Sequence, residues 1–213
     1  IIVLFTQFSC EKILEIDPLE SSIDEEEALQ TKSDMQEFLN SAYEVTANAN
    51  NGRIQGLGEL LSDNLVRPNN NNDLTEVFIH NVLIFNETTA GVYKDPYIGI
   101  FRANRILEYL DEKDFGYSPS ELNTVKGECH FLRGFLHFQE VTLWAQPWGY
   151  TAANTHPGVI YKLSSTVEPQ ARPSVAEVYD LIIQDLQSAI DELPFQNGIY
   201  ATKYAAQALL AKV

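Results

Sequence analysis

Basic residues are scarce in this sequence. Its 213 residues contain 14 Lys and Arg against 30 Asp and Glu, which gives a formal net charge of −16. A protein with this field repels nucleic acid and anionic membrane surfaces unless a basic patch overrides it, and the sequence has no basic run. The composition therefore excludes nucleic acid as a partner and leaves neutral ligands, cationic ligands and protein surfaces open.

Cysteine, glycine and proline are also too few to define a special class of protein. With 2 Cys, 11 Gly and 9 Pro, the chain is neither a disulfide scaffold nor a fibrous repeat. Hydrophobic residues make up 45% and charged residues 21%, as in ordinary globular proteins. A chain of this length buries a large core without a metal or a disulfide and forms one large domain or slightly more.

Motifs for catalysis or metal binding are missing as well. The His residues form no His-Glu-x-x-His pattern, the Cys residues form no Cys-x-x-Cys pair, and no Gly-x-Ser-x-Gly turn occurs. Gly56 and Gly58 lack the third glycine and the preceding strand of a dinucleotide-binding loop. We therefore expect no cofactor, no metal and no enzymatic activity.

The N-terminal residues form a short apolar run that ends in a small residue and a cysteine. Ile1 to Phe8 are too few to cross a bilayer, which takes about 20 residues, and Ser9-Cys10 after such a run resembles a bacterial lipoprotein processing site. We interpret residues 1–9 as the remnant of a signal peptide, Cys10 as the lipid attachment site, and residues 10–32 as an acidic tether. A buried first strand that ends in an ordinary cysteine is the alternative.

The first half of the remaining chain contains two helical patterns separated by a long irregular segment. Apolar residues at spacings of three and four predict a helix from Ser33, as N-cap, to about Ala47. A second helix is predicted to begin near Pro96. Residues 48–95 are rich in Gly and Asn, and so long a loop in a compact domain is often functional. Short elements are expected there at 56–61 and 77–85.

The second half begins two helices with strong local signals. Ser118 to Glu121 and Ser174 to Glu177 are capping boxes that predict the starts of a third and a fourth helix. A fifth helix is predicted from near Thr202 to the last residue, Val213. An irregular segment, residues 146–173, separates the third helix from the fourth. The class is therefore mainly α, and the spacing favours stacked helical hairpins of the tetratricopeptide type with long irregular loops over a helix bundle.

Several segments resemble one known family. Residues 128–138, ECHFLRGFLHF, are similar to the EARFLRAFYYF helix of the SusD/RagB family, and 143–149 resemble the exit from that helix. Residues 172–186 and 201–213 are similar to the family patterns RxSVxEVYxxIIxDL and ATKxAAxALLAKV, and Tyr97 to Asn104 fit YxxIxxAN. These blocks occur in the family's order over nearly the whole chain.

The resemblance implies a function that composition alone does not. Members of the family are outer-membrane lipoproteins of Bacteroidetes that are displayed on the cell surface and held in the membrane by their lipid alone. They are non-catalytic, have a tetratricopeptide-like superhelical fold, bind glycans or peptides, and close them over a TonB-dependent (SusC-like) transporter. Since full members are much longer, residues 33–213 are expected to be the N-terminal part of the helical domain, truncated at its C-terminus.

A glycan site needs aromatic platforms with polar side chains at the rim. Candidates in the irregular segments are Asn72, Asp73, Tyr93, Trp148 and Tyr150; the alternatives are a solvated turn for the Asn run and helix-end packing for the rings. Two functions remain: a surface protein that binds oligosaccharides or other nutrients for a transporter, and a helical-repeat scaffold of the RagB type that binds protein or peptide.

Overall fold

The computed structural model describes residues 28–66 and 72–213, apart from the side chain of Asn72. The interpretations of residues 1–9, of Cys10 and of most of the tether concern residues outside the described ones. Helices and loops make up the described part of the chain, which confirms the prediction of a mainly helical structure. The helices are α1 (Lys32–Asn50), α2 (Arg53–Leu61), α3 (Asn72–Phe78), α4 (Glu87–Glu112), α5 (Pro119–Trp144), α6 (Val175–Glu192) and α7 (Lys203–Leu210).

The long helices pack as successive hairpins. Contacts join α1 to α4, α4 to α5, α5 to α6, and α6 to α7. The Lys113 ammonium, just after α4, donates to the Leu29 carbonyl before α1 at 3.2 Å, so α1 and α4 are antiparallel. His130 on α5 lies 2.7 Å from Glu192 at the end of α6, and Arg133, further along α5, pairs with Asp185, earlier on α6, so this pair is antiparallel too.

Both long insertions leave the helices at the same end of the stack. Lys32 at the start of α1 pairs with Glu121 at the start of α5 at 2.9 Å, and Gln139 near the end of α5 donates to Asn50 at the end of α1. α1 and α5 are therefore parallel. The insertion after α1 and the insertion after α5 consequently emerge side by side, where they can form a common surface.

The core follows the helix pairs. A first apolar cluster joins α1, α4 and α5, and a second joins α5, α6 and the loop residues Val159 and Tyr161. Leu29 is buried in the first cluster, so the packed structure extends back to at least this residue. Glycine allows α5 and α6 to approach closely, because a Cβ on Gly127 would lie 2.9 Å from Leu193 Cγ.

The start of α1 differs from the prediction. Thr31, not Ser33, is the N-cap: its hydroxyl accepts the Asp34 N–H at 3.2 Å, and the Asp34 carboxylate accepts the Thr31 N–H at 2.8 Å. Asp34 completes a capping box in the position that Glu or Gln usually fills. At the other end the helix continues to Asn50, beyond Ala47, and stops before Gly52, whose φ of 74° is left-handed.

The start of α4 was placed too late by the sequence. The helix begins at Glu87 with Asn86 as N-cap, and Pro96 lies inside it. A proline in a helix interior removes one hydrogen bond and costs about 3 kcal/mol. The first turns are retained because Val92 is buried, 1% exposed, in a small apolar cluster with Leu57 and Val77.

The remaining boundaries match the local signals except at the end of the chain. The capping boxes at Ser118 and Ser174 are both present, so these helix starts are confirmed. α7 begins after Thr202, its N-cap, which confirms the predicted start, but the helix ends at Leu210, so the predicted continuation to Val213 is wrong. The short elements in the first insertion are shifted: α2 begins at Arg53, and α3 spans Asn72–Phe78.

Candidate ligand groove

A groove of about 370 Å³ lies where the second insertion crosses α4. One stripe of α4 forms one wall, and residues 160–167 form the other. The lining side chains are Tyr93, Lys94, Tyr97, Ile100, Phe101, Ile160, Lys162, Ser164, Thr166 and Val167. The Tyr97 hydroxyl donates to the Ile160 carbonyl at 2.9 Å and so ties the two walls together.

The aromatic side of the groove is a packed cluster with accessible rings. Tyr93 is 40% exposed and lies 5.3 Å from Tyr97, centroid to centroid, in a tilted arrangement. Trp144 at the end of α5 supports Tyr93 edge-on at 5.6 Å. Phe101, two turns further along α4, is also 40% exposed. These rings form the kind of apolar platform on which the C–H face of a sugar ring packs.

A buried histidine holds the opposite wall. The backbone N–H of Lys162 donates to His137 Nε2 at 3.1 Å, while His137 Nδ1–H donates to the Arg133 carbonyl at 2.9 Å. The ring also stacks on Tyr161 at 3.8 Å. Burial lowers the pKa of His137 to about 3, so the imidazole is neutral and keeps the acceptor that Lys162 requires.

A buried ion pair extends this support to α6. The Arg133 guanidinium donates to both oxygens of Asp185, at 2.7 and 2.6 Å, and to Asn104 Oδ1 at 2.8 Å. The Tyr161 hydroxyl donates to the same Asp185 carboxylate at 2.5 Å. Burial and this carboxylate raise the pKa of Tyr161, so the phenol remains a donor.

Asn104 transmits this arrangement to the groove itself. Its side-chain amide donates to the carbonyls of Lys162 and Ser164, at 3.0 and 3.2 Å. Its position is fixed in turn by Arg133. The wall at 160–167 is therefore positioned by a connected set of buried hydrogen bonds on α4, α5 and α6, as a preformed binding surface requires.

A buried carboxyl group lies beside the aromatic cluster. Glu140 on α5 is 0% exposed, and neither of its oxygens makes a hydrogen bond within the described residues. Burial raises the pKa of Glu140 to about 9, against a smaller opposing effect of the Trp144 indole. Glu140 is therefore uncharged at neutral pH and places no negative charge next to Tyr97.

The structure places the predicted site residues in different surroundings. Of those whose side chains the structure describes, only Tyr93 lines the groove. The Asp73 carboxylate accepts the backbone N–H of Thr88 at 3.1 Å, so its contact is with the first turn of α4. Asn72 belongs to α3, and its side chain is outside the described part of the structure.

Trp148 and Tyr150 lie on the loop after α5, with their rings partly in solvent. Trp148 is 57% exposed and packs on Tyr179 of α6 at 5.0 Å, and Tyr150 is 63% exposed and packs on His156 at 5.3 Å. The loop is held in shape by Asn154, whose side-chain oxygen accepts the Gly149 N–H at 2.6 Å. These rings form a second exposed aromatic surface with neighbours other than those of Tyr93.

Sequence analysis missed the second wall and its supports. Lys162, Tyr161 and the buried roles of His137 and Asp185 were not among the predicted site residues. The available signal was the presence of Arg133, His137 and Asp185 inside otherwise apolar helix patterns, since charged or polar groups in a core occur mainly with partners.

Within residues 28–66 and 72–213, no group of three or more His, Cys, Asp or Glu side chains is arranged to hold a metal ion. None of the helices in these residues has both the length and the hydropathy that crossing a bilayer needs.

Comparison with known families decides the assignment. Residues 15–213 match the model of a SusD-like family described as starch-binding and associating with the outer membrane. The chain belongs to this SusD-like family. Among curated proteins, the SusD-like chain is similar to SusD-like protein P38 of Formosa agariphila, with 30% identity over 96% of the chain and 39% of the relative. It is 26% identical to SusD-like protein P25 of the same species, over 100% of the chain and 41% of the relative.

Solved structures share the fold. A SusD superfamily protein from Bacteroides vulgatus has a TM-score of 0.76 at 22% identity, over 86% of this chain and 42% of that one. A laminarin-binding SusD-like protein has a TM-score of 0.66 at 21% identity, over 86% and 40%. The prediction of a tetratricopeptide-like superhelix is thereby confirmed. The chain spans about two fifths of the length of the curated relatives it matches.

Proposed function

We propose that this SusD-like chain is the N-terminal part of a non-catalytic, lipid-anchored surface protein that binds oligosaccharides and delivers them to a TonB-dependent outer-membrane transporter. The lipid is attached at Cys10, outside the described residues. The groove between α4 and residues 160–167 contributes to the oligosaccharide site. In this proposal the ligand contacts Tyr93, Tyr97 and Phe101, and Asp73 is no longer a site residue.

The accessible aromatic stripe of α4 carries the proposal. Tyr93 and Phe101 are each 40% exposed although they stand on a helix whose other face is in the core. Exposed rings that are grouped along one groove, rather than scattered singly, indicate a binding surface. The Tyr93 ring, which Trp144 supports edge-on, can accept an apolar sugar face. The described lining of the groove lacks the pair of carboxyl groups that glycoside hydrolysis uses, so binding without turnover fits it best.

The experiment compares ring removal at the groove with ring removal elsewhere. Tyr93→Ala is titrated with starch and laminarin oligosaccharides by isothermal calorimetry. Because a stacked ring contributes about 1 kcal/mol, affinity for the bound glycan is expected to fall about fivefold. Tyr204→Ala is the matched control, since Tyr204 is 62% exposed and packs on Phe195 at 5.2 Å, outside the groove.

The same samples test the absence of turnover. Oligosaccharide recovered after prolonged incubation is expected to be unchanged by mass spectrometry. Equal affinity of Tyr93→Ala and the unaltered chain would remove the groove from the site, and Trp148→Ala would then test the second aromatic surface. Chemical conversion of the recovered glycan would reject the non-catalytic assignment.

A further inference from the structure

The charged side chains that line the groove are of one sign. They are Lys94 and Lys162, and no Asp or Glu is among the described lining residues. This is unusual on a chain with 30 acidic against 14 basic residues. A random sample of its charged side chains would contain acids about twice as often as bases, so the lining departs from the surface around it.

Three acidic groups near the groove are paired or uncharged, and a fourth, the exposed Glu168 after Val167, is not among the lining residues. Asp95, next to Lys94, pairs with Arg53 at 2.6 Å. The Glu108 carboxylate is occupied by the Ser165 N–H at 2.8 Å and by Arg105. Glu140 is buried and uncharged at neutral pH because burial raises its pKa to about 9.

A third cation adds to the same field. Arg172 lies close enough to Tyr97 to lower the pKa of that phenol, against the larger effect of burial, which raises it. Its guanidinium is fixed by the Gly158 carbonyl at 2.5 Å. The groove is thus a local positive region on a strongly negative molecule, and such a region raises the local concentration of anions.

The two lysines differ in their freedom to meet a ligand. The Lys162 ammonium donates to the carbonyls of Thr166 and Glu168, at 3.3 and 2.9 Å, and so stabilises the wall. The ammonium of Lys94, an exposed residue, has no hydrogen bond or ion pair within the described part of the chain. Its three donors are available to an anion that rests on the neighbouring Tyr93 ring.

We propose that the groove selects oligosaccharides that carry an anionic substituent, a carboxylate or a sulfate, and that Lys94 is the side chain that recognises it. This inference rests on the proposed function, since it names the class of glycan that the same groove binds. Charge distinguishes ligands that stack equally well on the rings. An anionic ligand forms an ion pair with the Lys94 ammonium, whereas a neutral ligand leaves this ammonium desolvated and without a partner.

The test uses two pairs of ligands that differ only in charge. Laminarin is compared with laminarin sulfate, and methyl-esterified oligogalacturonate with the free acid, by calorimetry on the full chain at 50 and 300 mM NaCl. The anionic member of at least one pair is expected to bind about tenfold tighter at low salt, with the preference reduced at high salt. The sulfate and carboxylate pairs distinguish the two possible anions.

Three variants assign the preference to one side chain. Lys94→Gln is expected to reduce the anionic preference about fivefold, and Lys94→Arg is expected to keep it. Lys126→Gln is the control, since it removes the same charge from a lysine that pairs with Asp111 at 2.9 Å and lies outside the groove. An equal loss in Lys94→Gln and Lys126→Gln would overturn the proposal, because net charge would then explain the effect.

The outcomes separate this inference from the function on which it rests. If laminarin and its sulfate bind equally and Tyr93→Ala weakens both, only the charge preference is wrong. If a poly-glutamate peptide binds as tightly as the anionic glycans, the groove is a general anion or peptide site and the proposal is overturned. If no member of either pair binds, the proposed glycan function of the groove fails together with it.

Discussion

Glu140 is a buried carboxyl group whose environment favours the protonated form. An unfolded chain loses this proton near the ordinary pKa of 4.5, whereas the folded chain keeps it until about pH 9. Between these values the folded state holds more protons, so the free energy of unfolding falls as the pH rises, by up to about 1.4 kcal/mol per pH unit. The contribution is fully present below pH 4.5 and is lost as the pH approaches 9.

A neutral replacement removes this dependence. In Glu140→Gln the free energy of unfolding is expected to be flatter between pH 5 and 8 and to exceed that of the unaltered chain by several kcal/mol at pH 8. Urea unfolding at several pH values measures it. The exposed Glu44 provides a control variant, Glu44→Gln, which should keep the original slope. The idea is wrong if Glu140→Gln and the unaltered chain lose stability in parallel.

Asp185 has the opposite character, because every part of its carboxylate is used. It is 5% exposed and accepts from Arg133 and from Tyr161. Removing the charge leaves the buried guanidinium without its partner, which typically costs 3 to 5 kcal/mol. Asp185→Asn is therefore expected to lower the free energy of unfolding by about 3 kcal/mol in urea titrations.

Asp191→Asn on the same helix is the matched control for Asp185. Asp191 is exposed, and its hydrogen bond to Gln187 is long at 3.4 Å, so its loss is expected to stay within about 0.5 kcal/mol. Similar stability of the two variants would show that the Arg133 pair adds little to the fold.

At the scale of helices, the sequence predicted starts better than extents. The capping boxes at Ser118 and Ser174 are local signals, since the side chain and the N–H groups it caps lie within three residues. The start of α4 was predicted at Pro96, nine residues late, because the reason for its first turns is the burial of Val92 against α2 and α3. Such contacts between separate elements leave no mark in the local pattern.

Close approach of α5 and α6 depends on glycine. A Cβ at Gly127 would lie 2.9 Å from Leu193 Cγ and 3.1 Å from the Leu193 backbone nitrogen, and backbone cannot move aside as a side chain can. Gly127→Ala is therefore expected to destabilise the chain by about 1 to 3 kcal/mol despite the better helix propensity of alanine. Thermal unfolding followed by circular dichroism measures the change.

Gly56→Ala provides the comparison at a glycine inside a helix with open space. Nothing lies within 4 Å of the added Cβ at Gly56 in α2, so alanine is expected to raise stability by about 0.5 to 1 kcal/mol. Opposite signs at the two positions identify packing as the cause at Gly127. A gain in stability in both variants would mean that α6 can shift to accommodate a methyl group.

At the scale of the whole molecule, the groove is an outcome of topology. Its walls meet because α5 ends beside the start of α4, where Trp144 packs on Tyr93, so the insertion after α5 runs back across α4. The contact between Asn104 and the carbonyl of Lys162 joins residues 58 apart in sequence. Local patterns could predict that a long insertion follows α1 and another follows α5, and could name the ring of Tyr93 as a candidate. They could not predict that a helix, α4, carries Tyr93, or which residues of the second insertion face it.

The membrane attachment of the whole molecule depends in our proposal on a single sulfur atom. Only the thiol of Cys10 is proposed for acylation, whereas Cys129 is 0% exposed and burial raises the pKa of its thiol, so it is unreactive. When the protein is produced in a bacterial host with an intact export signal, Cys10→Ser is expected to abolish labelling by radioactive palmitate and to release the protein from the membrane fraction, because stable anchoring requires the acyl chains. The control Cys129→Ala should keep both the palmitate label and the membrane location. Retention of the Cys10→Ser protein in washed membranes would contradict the proposal, because another part of the molecule would then hold it there.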